Sequence, residues 1–161
     1  PSAPNAFGLT QSSKNLPEPK KRPLSSMTPT IVLNADGSVR GVFGSPGGPK
    51  IITTVLQTIV NVVDFGMSAE EAVSARRIHH QWKADVLRVE DGVPHGKQLA
   101  TMGHHVETLG KNRGLGNAQI ILIRPDGARA AASDPRGTGR PGAYTQARTP
   151  AKGLGAPERD H

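Results

Sequence analysis

The stretch Gly44-Ser45-Pro46-Gly47-Gly48-Pro49 constrains this chain more than any other. No helix or strand interior tolerates glycine and proline at that density, so the backbone must turn sharply there. The residues on its two sides have different periods. Before it, Thr30-Ile31-Val32-Leu33 and Val39-Arg40-Gly41-Val42-Phe43 flank Asn34-Ala35-Asp36-Gly37, a hairpin pattern in which Gly37 supplies positive φ. After it, Ile51, Ile52, Val55, Leu56, Ile59, Val60 and Val63 fall on one broad stripe of a helix ending near Phe65-Gly66. Many of these residues are β-branched, so packing against a sheet, rather than propensity, must hold that helix.

Further along, Ser68 followed by Glu71 reads as a capping box opening a short helix to about Ala75. Leu87-Arg88-Val89 before Asp91-Gly92 predicts a short strand and turn, His95 to Met102 a helix stopped by Gly103, and Val106 to Leu109 another strand. Ala118 to Ile123 and Ala128 to Ala132, around Pro125-Asp126-Gly127, repeat the hairpin signal. Strand pairs flanking two consecutive helices predict an α+β fold with the helices packed on antiparallel strands. Residues 1–23 carry Pro1, Pro4, Pro17, Pro19 and Pro23 with the basic run Lys20-Lys21-Arg22, and read as an extended segment lying on the rest. Residues 24–136 form the folded part, and residues 137–161, rich in Gly, Pro, Thr and Arg, read as a disordered tail.

Composition narrows the classes. The 161 residues carry a net charge of +7, and 35% are apolar when glycine is not counted. With 19 Gly and 14 Pro, that balance supports one domain or part of one, with a modest core and long irregular segments. Three Phe, one Tyr and one Trp are too few for the stacking platforms of a single-strand nucleic-acid binder. No apolar run approaches the ~20 residues needed to cross a bilayer. The absence of cysteine removes disulfides, thiolate metal sites and cysteine nucleophiles. A start at Pro1 rather than Met reads as a processed end or a piece of something longer, and the chain holds no signal-peptide pattern.

Two places could carry chemistry. At the bend, the backbone N–H groups of Gly47 and Gly48, near the positive end of the following helix, could hold an anion or a developing oxyanion. The bland alternative is a tight strand-to-helix turn with no ligand. Ahead of the first strand, the paired hydroxyls of Ser25 and Ser26 could donate to a carboxylate, although serine also simply favours loops. Six histidines, with pairs at His79-His80 and His104-His105, lack the spacing of a metal site, because neighbouring side chains diverge. His79, His80 and Trp82 are expected to pack or cap after the short helix.

Three motifs in order, Lys21-Arg22-Pro23-Leu24-Ser25-Ser26-Met27-Thr28-Pro29-Thr30, Gly44-Ser45-Pro46-Gly47-Gly48 with Ile51-Ile52-Thr53-Thr54-Val55-Leu56-Gln57, and Arg77-Ile78-His79-His80-Gln81-Trp82, resemble the gamma-glutamyltransferase family. The resemblance covers about residues 1–144 and includes Ala132-Ser133-Asp134-Pro135-Arg136. It implies part of an αββα sandwich of the N-terminal nucleophile hydrolase type, corresponding to the C-terminal portion of the small subunit. It further implies cleavage of glutathione or other gamma-glutamyl amides through an acyl-enzyme, resolved by water, an amino acid or a peptide, with no cofactor. Ser25 and Ser26 match the serines that hold the glutamyl α-carboxylate, and Gly47 and Gly48 match the oxyanion-hole pair.

The family's nucleophilic Thr, the groups that bind the α-amino group and the large-subunit Arg have no counterpart in these residues. The resemblance therefore implies that the chain acts with a large subunit and an upstream part of the small subunit, and is inactive alone. Missing strands would leave a bare apolar sheet face and an open edge. A periplasmic or extracellular setting is what the family favours. Two other readings compete: a noncatalytic basic protein binding nucleic acid or an acidic surface, and a related acylase acting on another amide. Against the first, the basic residues are scattered rather than gathered on one stripe, so no nucleic-acid partner is expected.

Overall fold

The two hairpins expected from the sequence come together in one sheet. A computed structural model describes residues 3–9, 11–111 and 113–143. After a single 3-10 turn at Ser13–Asn15 come β1 (Thr30–Leu33), β2 (Val39–Gly44), α1 (Lys50–Val63), α2 (Ala69–Ser74), β3 (Ile78–His79), β4 (Leu87–Val89), α3 (Gly96–Thr101), β5 (Val106–Thr108), β6 (Gln119–Ile123) and β7 (Arg129–Ser133). Four strands form an antiparallel sheet in the order β1-β2-β6-β7. Each hairpin closes on a glycine in the left-handed region, Gly37 at φ +83° and Gly127 at +79°.

The period of two sorts this sheet into unlike faces. The cross-strand row Thr30, Phe43, Ile120 and Ala132 points at the helices, and Phe43, Ile120 and Ala132 join Ile51, Val55, Val62, Ala72 and Val73 in the core. The adjacent row, Ile31, Val42, Ile121 and Ala131, lies on the opposite face. There Ile31 is 63% exposed and Ile121 42%.

Helix α1 lies where its periodicity predicts, but it is rotated relative to the expected stripe. Ile51, Thr54, Val55, Thr58 and Val62 are its buried residues, while Ile52, Leu56 and Val63 are exposed. Two threonines thus replace two aliphatic positions in the core. Their hydroxyls reach carbonyls: Thr58 Oγ1 donates to Thr54 O at 2.8 Å and Thr54 Oγ1 to Leu115 O at 3.4 Å, so the cost of burying them is offset. Helix α2 begins with the expected reciprocal cap between Ser68 and Glu71.

A second sheet joins the short strands expected at Leu87–Val89 and from Val106 to a third, β3, that the sequence does not signal. β3 pairs antiparallel with β4, and β4 pairs parallel with β5 across the α3 crossover. β3 places His79 in the core, whereas Trp82, expected to pack, is 72% exposed in a turn at φ +69°. Its ring instead meets the Lys83 ammonium, 4.8 Å from the centroid.

The two sheets are joined by a buried cluster of four charges. Arg77 pairs with Asp134, and Arg136 with both Glu90 and Asp134. Arg77 also donates to the Val73 and Leu115 carbonyls, and Arg136 to those of Val73 and Ala75. The carboxylates accept the backbone N–H groups of Arg77, Leu115, Ala118 and Arg136. The formal charges cancel and every partner is named by geometry, which is the condition for tolerating charge inside a core. Of the expected tail, residues 137–143 are described, and residues 144–161 lie outside the described residues.

Candidate functional site

Gly47 and Gly48 adopt φ of +143° and +57°, conformations that a side chain would strain. They turn β2 into α1, where the N–H groups of Lys50 and Ile51 donate to the carbonyls of Gly47 and Gly48, each at 3.2 Å. Among the described residues, no side chain caps this helix, and its first turn carries no acid. Among the described residues, the N–H groups of Gly47 and Gly48 have no acceptor. Unpaired donors at a helix start carry positive partial charge, suited to an anion.

Behind the bend stands a loop that sequence reasoning missed. Ser45 Oγ accepts from Asn117 N at 3.0 Å and donates to Pro46 O at 2.7 Å. Gly116, at φ +76°, allows the close approach: a Cβ there would overlap Thr54 Oγ1 and lie 3.0 Å from Ser45 Oγ. Its place in Leu115-Gly116-Asn117 carries no pattern that would have revealed this.

In front of the bend, Ser26 Oγ donates to Gly48 O at 2.8 Å. Ser25 Oγ accepts from Met27 N at 3.1 Å, leaving its own proton undirected. Ser25 is exposed and Ser26 half-buried. The twin hydroxyls and the glycine pair, about twenty residues apart in sequence, are therefore neighbours, with no packed core between Ser26 and Gly48. A cavity of about 670 Å³ opens beside the serines, with Lys21, Arg22, Ser25, Ser26, Phe7 and Pro49 in its wall, and Gly47 and Gly48 are not among its lining residues. Lys21 is partly neutralised by Glu18 at 3.4 Å. Phe7 both lines this cavity and rests on the bend, its ring 3.1 Å from the point a Cβ on Gly48 would occupy.

The paired histidines diverge. His79 is bracketed by Thr53 Oγ1 at 2.8 Å and Gln81 Oε1 at 3.1 Å, whereas His80 meets Asp85 at 3.0 Å. Burial, reinforced by Lys50, Arg88 and His80, holds the His79 pKa below its ordinary value. Among the described residues, no three His, Asp or Glu side chains gather as metal ligands.

One helical layer packs on an antiparallel sheet whose other face is uncovered among the described residues, and the likeness to solved structures makes this the α+β part of an N-terminal nucleophile hydrolase sandwich. Known proteins fix the family. The gamma-glutamyltranspeptidase family model matches residues 1–144. The glutathione hydrolase proenzyme of Escherichia coli is 48% identical over 84% of this chain and 23% of its own length. That of Pseudomonas aeruginosa is 44% identical over 86% of this chain and 25% of its own. A crystal structure of Helicobacter pylori gamma-glutamyltranspeptidase, a T380A mutant, superposes with a TM-score of 0.78 at 44% identity, covering 85% of this chain and 75% of that one. The chain belongs to the gamma-glutamyltranspeptidase family. It spans about a quarter of the length of these curated relatives.

Proposed function

We propose that this chain supplies the glutamyl-binding and oxyanion-stabilising part of a gamma-glutamyl amide hydrolase and transferase. Ser25 and Ser26 hold the α-carboxylate of glutathione or another gamma-glutamyl amide. Gly47 and Gly48 direct their N–H groups at the oxygen that becomes negative when the amide carbonyl is attacked. The attacking threonine hydroxyl comes from outside these residues. Its acyl-enzyme is then resolved by water, an amino acid or a peptide.

The observation that supports this reading is the 2.8 Å bond from Ser26 to Gly48, beside two backbone donors that have no acceptor among the described residues. Fixed backbone donors stabilise charge that appears only in the tetrahedral state, where one donor is worth about 10²–10³ in kcat. Ser25 has a proton free to donate, and Ser26 gains one for the ligand by turning away from the Gly48 carbonyl. Lys21 and Arg22 raise the local potential for an anionic substrate.

Partners are supported by the bare sheet face. The row Ile31, Val42, Ile121 and Ala131, together with exposed Leu33 and Val39, is an apolar surface of the kind a second layer covers. We assign that layer to the large subunit and the upstream part of the small subunit. The reading of a basic binding protein rests on the net charge of +7 alone, with the basic residues scattered along the chain.

The test joins this chain to the upstream part and follows release of a gamma-glutamyl anilide. Gly47→Pro and Gly48→Pro each remove one N–H donor and are expected to lower kcat by at least 10²-fold. Circular dichroism establishes that each variant is folded. Full activity in both folded variants would remove the oxyanion role.

A further inference from the structure

The segment 3–9 reaches the rest of the protein through a narrow connection. Among the described residues, its hydrogen bonds are internal, from Asn5 N to Leu9 O, Gly8 N to Asn5 O, and the Phe7 and Leu9 N–H groups to Asn5 Oδ1, with one exception. The exception is Gln81 Nε2, which donates to Phe7 O at 3.2 Å and to Lys83 O at 3.0 Å. We propose that Gln81 is a positioning residue that holds Phe7 over Gly48, with buried His79 and Thr53 fixing the direction of its amide.

The proton inventory determines that direction. Gln81 Oε1 can only accept, so His79 Nε2, 3.1 Å away, must carry its hydrogen. A flipped amide would aim its oxygen at the Phe7 and Lys83 carbonyls, oxygen against oxygen. With Nε2 protonated, the neutral imidazole accepts at Nδ1, and the Thr53 hydroxyl at 2.8 Å is the donor. A charged imidazole would instead donate to Thr53, whose hydroxyl then turns to Lys50 O at 3.1 Å. The Thr53 hydroxyl satisfies the ring in either state, so the amide direction is retained in both.

A chain of hydrogen bonds therefore runs from α1 through Thr53, His79 and Gln81 to the backbone of Phe7. Phe7 lines the cavity that holds the two serines and rests on Gly48. Gln81 thereby controls how closed the site is without touching substrate. This role rests on the reading of Gly48 as an oxyanion donor, while the contact itself does not.

Gln81→Glu separates the two halves of the amide. A carboxylate keeps the size and the acceptor facing His79, but has no N–H for Phe7 O. Amide hydrogen exchange of the intact protein, read on the peptide covering residues 3–9, is expected to rise at least tenfold in Gln81→Glu and Gln81→Ala, with α1 and β4 unchanged. The same variants should raise KM for a gamma-glutamyl anilide about five- to tenfold with little change in kcat. Unchanged exchange at 3–9 in both variants overturns the proposal, as does a rise spread equally over β4, which would mark a general packing role. Faster exchange at 3–9 with unaltered anilide kinetics upholds the anchoring of Phe7 and removes the link to the reaction.

Discussion

The glycine bend and the charge cluster are built from the same materials, backbone amides and polar side chains, and arrange them oppositely. In the cluster, Arg77, Glu90, Asp134 and Arg136 engage one another and seven backbone groups through eight hydrogen bonds to the main chain. At the bend, two N–H groups have no acceptor among the described residues and one serine proton is undirected. Polar groups sealed in the core are satisfied by one another, whereas exposed Gly47 and half-buried Gly48 keep their N–H groups open to solvent or to a ligand. Under the proposed function, the difference separates residues that hold the protein up from residues offered to substrate.

The comparison predicts its largest effect in the cluster. Asp134→Ala strands the Arg77 guanidinium in the core without its carboxylate and also removes the acceptor for Ala118 N. Breaking one side of a buried pair costs about 3–5 kcal/mol, so the urea midpoint of the intact protein should fall sharply while kcat per folded molecule is retained. A loss below about 1 kcal/mol would place the cluster among ordinary surface pairs and end the contrast.

Acid sharpens the same contrast. Burial alone would push the Asp134 and Glu90 carboxyls up. For Asp134, the N–H groups of Arg136 and Ala118 and the Arg77 guanidinium outweigh it. For Glu90, Arg136 and the N–H groups of Leu115 and Arg77 do so, and both pKa values are lowered. A carboxyl whose folded pKa is lowered contributes stability that is fully present above its unfolded value. That stability is lost as pH falls toward the folded one. Stability should therefore hold from neutrality to about pH 5 and decline below about pH 4, with the decline weakened in Asp134→Asn. A flat stability curve from pH 6 to pH 3 would contradict it.

What the sequence makes legible is local. Hairpins announced by Asp-Gly steps, the capping box at Ser68 and the period of α1 are set by residues within a few positions of one another. Contacts between distant segments are not. Phe7 meets Gly48, Gly116 backs Ser45 and Thr54, and Arg77 finds Asp134 only once the chain has folded. The parallel pairing of β4 with β5 and the rotation of α1, which buries Thr54 and Thr58 in place of Ile52 and Leu56, also depend on what the rest of the protein presents. For the serines and glycines, local chemistry suggests one anion-binding corner if the serine loop reaches the glycine bend, and the fold brings Ser26 to Gly48.

The serines give the finest test of that adjacency. A hydroxyl bonded to a charged carboxylate is worth about 1.5–3 kcal/mol, so Ser25→Ala should lower kcat/KM for a gamma-glutamyl anilide by about 10- to 100-fold, mainly through KM. Ser26→Ala also deletes the bond to the Gly48 carbonyl, and with it one restraint on the bend. Its effect should therefore extend into kcat, because the neighbouring N–H donors lose their fixed aim as well. Equal effects of the two variants, confined to KM, would mean that the bond from Ser26 to Gly48 does not help to shape the bend. Stability should move by no more than about 1 kcal/mol in either, since neither hydroxyl leaves a buried partner without a bond, and that small change set against Asp134→Ala separates the two regions most directly.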